Sequence, residues 1–285
     1  MPQVKLAFST LACPHWPLGR IVREAKRMGY NGIELRGLLD EIDVTRRPEF
    51  SPANLGSTRR MLEQEGIEVC CLGSSVHLLH PGDAVARARE REEFDRYLEL
   101  SVALFGSPIR VFGGAAPGGL PEEEAIAWAA EELEVLAKRA QKAGTQVLVE
   151  SHDFLLAGRR LAAVVGRCRS RGAGALWDVF NSQIPAEESL ERTYSLLRPF
   201  IRHVHVKDGH IRNGRYAYTL LGAGAIGYAK VLSWLLSDGY SGWLSVEWEK
   251  RWHPDLEDPE TALPQYAEGL KSWMDGLARL SSHLD

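Results

Sequence analysis

Short apolar or β-branched runs recur along the chain, and between them the hydrophobic positions return at helical spacing. Eight such runs stand out: "VKLAFS" (4–9), "GIEL" (32–35), "IEVCCL" (67–72), "IRVFG" (109–113), "QVLVE" (146–150), "GALWD" (174–178), "RHVHVK" (202–207) and "WLSVE" (243–247). Their length and residue types predict buried strands. The segments between them, among them "GRIVREAKRMG", "SPANLGSTRRMLEQEG", "REREEFDRYLELSVALFG" and "PEEEAIAWAAEELEVLAKRAQKAG", predict helices. The last opens on Pro121 and three glutamates and closes on basic residues and Gly144, as the helix dipole and its caps favour. Gly29, Gly66, Gly172 and Gly239 are expected to end other helices, and Cys168 to lie within one. Alternating strands and helices imply parallel pairing through right-handed crossovers. Eight units in 285 residues predict an α/β fold, a closed (β/α)8 TIM barrel forming a single domain over 1–285. An open doubly wound sheet would carry a glycine-rich phosphate loop after an early strand. The segment "GGAAPGG" (113–119) does not fit that pattern.

In such a barrel the outward face of each strand packs on helices, so apolar positions locate the inward ones. Val147 and Val149 face out, which turns Glu150 inward at the end of its strand. Ala175 and Trp177 face out and Asp178 in; Leu244, Val246 and Trp248 face out and Glu247 in. In the run around 202–208 the valines face out and His203, His205 and Lys207 face in, with His203 one layer deeper as a structural residue. Glu34 points inward between Ile33 and Leu35. Strands five to eight thus each present one potential ligand, Glu150, Asp178, His205 and Glu247, at the carboxyl rim where barrel active sites form. Three carboxylates crowded together repel one another and lose solvation unless a divalent cation neutralises them. Three oxygens and one imidazole suit Mn²⁺, Mg²⁺, Co²⁺ or Zn²⁺, and the lack of thiolates argues against a structural zinc site.

Composition narrows the class. Hydrophobic and charged contents of 45% and 25% are those of a soluble globular protein. No stretch nears the 18 apolar residues of a membrane span, and the start of the chain lacks a signal-peptide pattern, so a cytoplasmic protein is expected. Cys13, Cys70, Cys71 and Cys168 show no metal spacing and read as free thiols, with Cys70 and Cys71 on opposite strand faces. The net charge of −4, with both signs interspersed, disfavours nucleic acid as a partner. No nucleotide cofactor is expected, and a homo-oligomer is compatible with the composition.

The stretches "GYNGIELRG" (29–37), "VLVESHD" (147–153), "WDVFN" (177–181), "RHVHVKD" (202–208), "LGAGAIGY" (221–228) and "GYSGWLSVEWEKRWHP" (239–254) together resemble the xylose isomerase-like TIM-barrel superfamily, in particular its sugar phosphate isomerase/epimerase branch. The resemblance spans nearly the whole chain. It implies a divalent metal on Glu150, Asp178, His205 and Glu247, and it selects His205 over His203. One departure is visible. Ketose 3-epimerases of this superfamily carry a histidine three residues after the metal aspartate and an arginine six after the metal histidine; here Asn181 and Ile211 stand there, with Arg212 one step beyond.

The expected chemistry is α-proton transfer through an enediolate on a sugar, sugar phosphate or polyol. Glu150 and Glu247 would move the proton; in a dehydration, His152 or Lys207 could serve as the acid for the lost hydroxyl. Trp16 is a candidate lid or sugar-stacking residue. His15, Glu34, Arg36, His77 and Asn181 are candidates for binding hydroxyls, and Glu249 and Trp252 for closing the site. Lys207 could instead pair with Asp208, and Gly222, Gly224 and Gly227 could cradle a phosphate. The nearest alternative is a lyase of the inosose or 3-dehydroshikimate dehydratase kind. An apurinic endonuclease would need more histidine ligands and a basic face, and a non-catalytic sugar-binding barrel would not need four intact ligands.

Overall fold

The computed structural model describes residues 4–186 and 188–281. Its first strand, β1 (Lys5–Ser9), is followed by α1 (Leu18–Met28), β2 (Gly32–Leu35), α2 (Leu55–Glu65), β3 (Glu68–His77), α3 (Ala84–Ala103), β4 (Ile109–Phe112), α4 (Glu122–Lys142), β5 (Val147–Glu150) and α5 (Gly158–Arg167). The chain continues through β6 (Ala173–Asp178), α6 (Val179–Gln183), α7 (Leu190–Leu197), β7 (Ile201–Val206), β8 (Asp208–Arg212), β9 (Arg215–Thr219), α8 (Tyr228–Ser237), β10 (Trp243–Val246) and α9 (Pro259–Ser281). Eight parallel strands close in the order β1-β10-β7-β6-β5-β4-β3-β2, a TIM barrel.

Local chemistry explains the elements. Burial of one apolar stripe holds α1 on the barrel through Ile21, Val22 and Ala25, and Gly29 ends it at φ 76°, a left-handed cap for which glycine is suited. Glu122, Glu123 and Glu124 open α4, and Arg139 and Lys142 close it. Gly172 is no helix cap, because α5 ends at Arg167, with Cys168 just beyond it. Gly172 instead meets the backbone of α4 so closely that an added Cβ would lie 2.3 Å from the Ala137 carbonyl oxygen.

The outward strand residues Val147, Val149, Ala175, Trp177, Val204, Val206, Leu244, Val246 and Trp248 all join the large core between strands and helices. A separate small cluster of Ala7, Cys70, Cys71, Leu148 and Leu176, with Trp243 against it, plugs the interior beneath the polar rim. Both adjacent cysteines belong to this plug, so the expectation of opposite faces fails. The physical reason is a slip in the β2–β3 ladder: Ile33 pairs with Val69 but Glu34 with Cys71, and Cys70 is bulged out of register.

A second irregularity positions the site. On β6 and β7, Ala175 pairs with Ile201 and Leu176 with His203, leaving Arg202 unpaired; the slip brings Asp178 beside His205 rather than Val204. Beyond β7 the chain forms an antiparallel hairpin, β8–β9, around Asn213 and Gly214 at φ 52° and 72°. Asn-Gly flanked by extended residues is the strongest local hairpin signal, and it was available in the sequence.

Candidate metal centre

Glu150, Asp178, His205 and Glu247 come together at the carboxyl ends of β5, β6, β7 and β10, each buried and each offering an atom within 4.8 Å of the others. His205 Nδ1 stands 3.3 Å from Glu247 Oε2, 3.7 Å from Glu150 Oε1 and 3.9 Å from Asp178 Oδ2. The ring is oriented from below. Its Nε2 lies 2.9 Å from Glu34 Oε2, which also meets His203 Nε2 at 3.1 Å. Glu34 is therefore not a rim residue but a support beneath the site. By accepting from Nε2 it fixes the ring so that Nδ1 faces the carboxylates, the arrangement that orients metal-binding histidines.

The electrostatics of the four residues favour a cation. Burial by itself would lower the proton affinity of His205, but Glu247 and Glu34 outweigh it and push the pKa well above the ordinary value. Burial raises the Asp178 carboxyl, and Glu247 and Glu150 add to it against the pull of Lys207, leaving it at about 6. Glu34 goes the other way: its two histidines overcome burial and hold it well below the usual range. His205 Nδ1, Asp178 Oδ2 and Glu150 Oε2 are buried without a well-directed hydrogen bond. Hard oxygens plus one imidazole, with unsatisfied atoms converging, fit a divalent cation. One layer deeper, Glu34, Cys70 and His203 also converge, but burial pushes the Cys70 thiol up, so the thiolate a metal would need is disfavoured there.

Lys207 reaches into the same cluster. Its Nζ lies 2.6 Å from Glu249 Oε1, 2.7 Å from Glu247 Oε2 and 2.9 Å from Asp178 Oδ2. Burial would strip its proton, but Asp178, Glu247 and Glu249 outweigh it and keep the ammonium charged. The alternative pairing with Asp208 does not form. The Asp208 carboxylate turns away and accepts the amides of Gly209, Gly222, Gly224 and Ile226 at 2.8–3.3 Å. An added Cβ at Gly224 would sit 2.0 Å from Asp208 Oδ1, which is why glycine stands there. The Gly222, Gly224 and Ile226 amides are thus taken by the protein's own carboxylate rather than left open to a phosphate.

Above the four residues opens a cavity of about 140 Å³ lined by Leu11, Arg36, Arg110, Phe112, Glu150, His152, Lys207, Glu247, Glu249 and Trp252. That volume has room for several water-sized groups. His152 Nδ1 lies 2.8 Å from Asp153 Oδ1. Burial opposes its protonation, but Asp153 and Glu150 outweigh that and raise its pKa. Asp153 itself sits at φ 50°, a strained conformation of the kind found at ligand-binding rims.

Other expectations are corrected. Trp16 is 3% exposed, buried in the core with the Arg20 guanidinium 4.1 Å above its ring, and it does not line the cavity. His77 stacks on Phe112 at 5.4 Å and stands behind the cavity wall. Asn181 is buried beside the site; its amide N–H donates to Asp178 Oδ1 at 2.8 Å and its Nδ2 has no partner. His15 is exposed. The sequence reading missed Arg110, although the same face argument applies: Ile109 and Val111 join the outer core, so Arg110 turns in. Its Nε lies 3.2 Å from Glu150 Oε2 and its guanidinium stacks 3.9 Å above Phe112.

Fold and site together define a TIM barrel with four buried side chains at its carboxyl rim that could hold a metal ion. The chain belongs to the xylose isomerase-like TIM barrel family, whose profile matches residues 22–276. Among solved structures it resembles L-ribulose 3-epimerase, with TM-score 0.81 and 17% identity over 99% of this chain and 98% of that one. The IOLI protein with a bound zinc atom gives TM-score 0.81 and 17% identity over 96% and 99% of the two chains. The probable 3-DHS dehydratase AsbF of Bacillus anthracis, involved in petrobactin synthesis, gives 0.76 and 16% over 94% and 99%. A search of curated protein sequences finds no significant match. At these identities the likeness carries the fold, and the reaction must be argued from the site.

Proposed function

We propose that the protein is a metal-dependent isomerase or epimerase that moves a proton at a carbon beside a carbonyl of a sugar or polyol. The observation that supports this most is the pair Glu150 and Glu247. They come from strands on opposite sides of β7, and both border the cavity above His205. Glu150, Asp178, His205 and Glu247 would hold the divalent cation, which supplies Lewis-acid polarisation of the substrate carbonyl. Glu34 holds the His205 ring in register. One carboxylate of the pair takes the α-proton and the other returns it from its own side, giving inversion; return to the neighbouring carbon gives isomerisation. Lys207, charged and buried at the cavity wall, would stabilise the oxygen on which negative charge grows.

A lyase is the second reading. Lys207, kept charged by its carboxylates, and His152, its pKa raised by Asp153 and Glu150 against burial, both line the cavity and would be the acids for a departing hydroxyl. The ketose 3-epimerase pattern, by contrast, is broken in space as well as in sequence. Ile211 lies exposed on the β8–β9 hairpin, away from the cavity lining.

The test is exchange in D₂O followed by NMR, using Mn²⁺-loaded protein with ketoses, inososes and 3-dehydroshikimate. Deuterium should enter beside a carbonyl with the intact protein and not with Glu247→Ala. Product structure then separates epimerase, isomerase and lyase. Metal binding without exchange on any of these compounds counts against proton transfer and favours a binding role.

A further inference from the structure

Three guanidinium or ammonium groups enter the cavity wall, and two of them are matched by carboxylates. Lys207 has Asp178, Glu247 and Glu249, and Arg110 has Glu150. Arg36 has none. It is buried, it lines the cavity, and among the described residues its side chain donates only to the Ser75 hydroxyl, Nη1 to Oγ at 3.0 Å. Among the described residues no carboxylate forms an ion pair with it. A buried cation without a counter-ion is costly, so its retention beside a cavity points to a ligand that supplies one. The fold makes room for it deliberately: at Gly73 of β3 an added Cβ would lie 2.8 Å from Arg36 Cδ and 3.0 Å from an Arg110 guanidinium nitrogen. Burial and the like charge of Arg110 lower its pKa to about 10 against the opposing pull of Tyr97, Glu150 and Glu247, the two carboxylates acting from beyond ion-pair distance.

The nearby carboxylates are engaged elsewhere. Glu34 meets His203 and His205, Glu150 meets Arg110, and Asp178, Glu247 and Glu249 meet Lys207, so none of them pairs with Arg36.

We propose that Arg36 is an anion-recognition residue, and that the substrate of this site is a hydroxy-keto acid whose carboxylate pairs with its guanidinium. This rests on the proton-transfer reading for the hydroxy-ketone end of the ligand. A carboxylate matches the planar fork of a single guanidinium. A phosphate would call for further donors, and the glycine-rich amides that would provide them are held by Asp208.

Matched ligands test this. Mn²⁺-loaded protein is titrated calorimetrically with fructuronate against fructose and fructose 6-phosphate. The set keeps the hydroxy-ketone and changes only the remote group. The acid should bind about tenfold or more tighter than fructose, as expected for a charge-assisted pair. Arg36→Gln should erase that preference while Mn²⁺ affinity and thermal unfolding stay near wild type, and Arg36→Lys should restore part of it. Equal binding of acid and ketose, tighter binding of the phosphate ester, or a preference that survives in Arg36→Gln each overturns the proposal. Deuterium exchange is read in parallel. Exchange on neutral ketoses without any acid preference overturns the anion site and leaves proton transfer standing. Acid preference without exchange does the reverse.

Discussion

His205 shows how one side chain serves two layers. Its Nε2 is held by Glu34 and its Nδ1 faces three carboxylates. Glu34→Gln keeps the shape and removes the charge that fixes the ring, and is expected to weaken Mn²⁺ binding about 10- to 100-fold without touching a ligand. Calorimetric titration checks this; an unchanged affinity would show that packing alone orients the ring. Protonation gives a second prediction. Asp178 carries a proton below about pH 6 in the metal-free protein, and His205 holds one to higher pH still. Both must leave when a cation binds, so affinity falls as pH drops through 6 and keeps rising above it. Titrations at pH 5, 6, 7 and 8 in buffers of different ionisation enthalpy should show proton release, and a flat profile would contradict it. Lys207→Met removes the buried ammonium and leaves its carboxylates unpaired, a loss of about 3–5 kcal/mol in the metal-free protein. Urea unfolding with and without Mn²⁺ should show the ion recovering more stability in this variant than in wild type.

Elements place these residues through features that no single run of sequence displays. The β6–β7 slip sets Asp178 beside His205, and the β2–β3 bulge turns both Cys70 and Cys71 toward the interior. After β7, two buried tyrosines fasten the chain: Tyr228 bonds the Lys207 backbone and Tyr266 the Asp208 amide. Asp208 then gathers the 221–227 loop. Asp208→Ala leaves the Gly222, Gly224 and Ile226 amides without their acceptor. Hydrogen exchange at these amides should speed up about tenfold or more, the loss expected for bonds to a charged acceptor. Unchanged exchange would mean that the loop is held by other contacts.

For the whole molecule, the four candidate ligands lie far apart in sequence, on β5, β6, β7 and β10, and meet only when the barrel closes. A cation bound there ties those strands together in the native state only. At a concentration 100-fold above its dissociation constant it adds about 2.7 kcal/mol of stability. Chelation should lower the melting temperature of the wild type and not of Glu247→Ala; equal shifts in both would place the ion elsewhere. Among the described residues no helix is long and apolar enough to cross a membrane.

The sequence by itself determined the periodicities. Outward valines and tryptophans marked the strand faces, and those faces turned Glu150, Asp178, His205 and Glu247 inward, because side chains alternate strictly along a strand. The same logic would have found Arg110, and Asn213-Gly214 would have announced the hairpin. Tertiary structure alone decided register and depth. Which residue stands opposite which depends on bulges that arise from packing across neighbouring strands, not from either strand's own pattern. That is why Trp16 could look like a lid and be core, and why Glu34 could look like a rim group and be a support. It is also why the pairing that leaves Arg36 without a carboxylate was invisible in the chain: charge balance belongs to the closed barrel, where each buried cation must find its counter-ion in space.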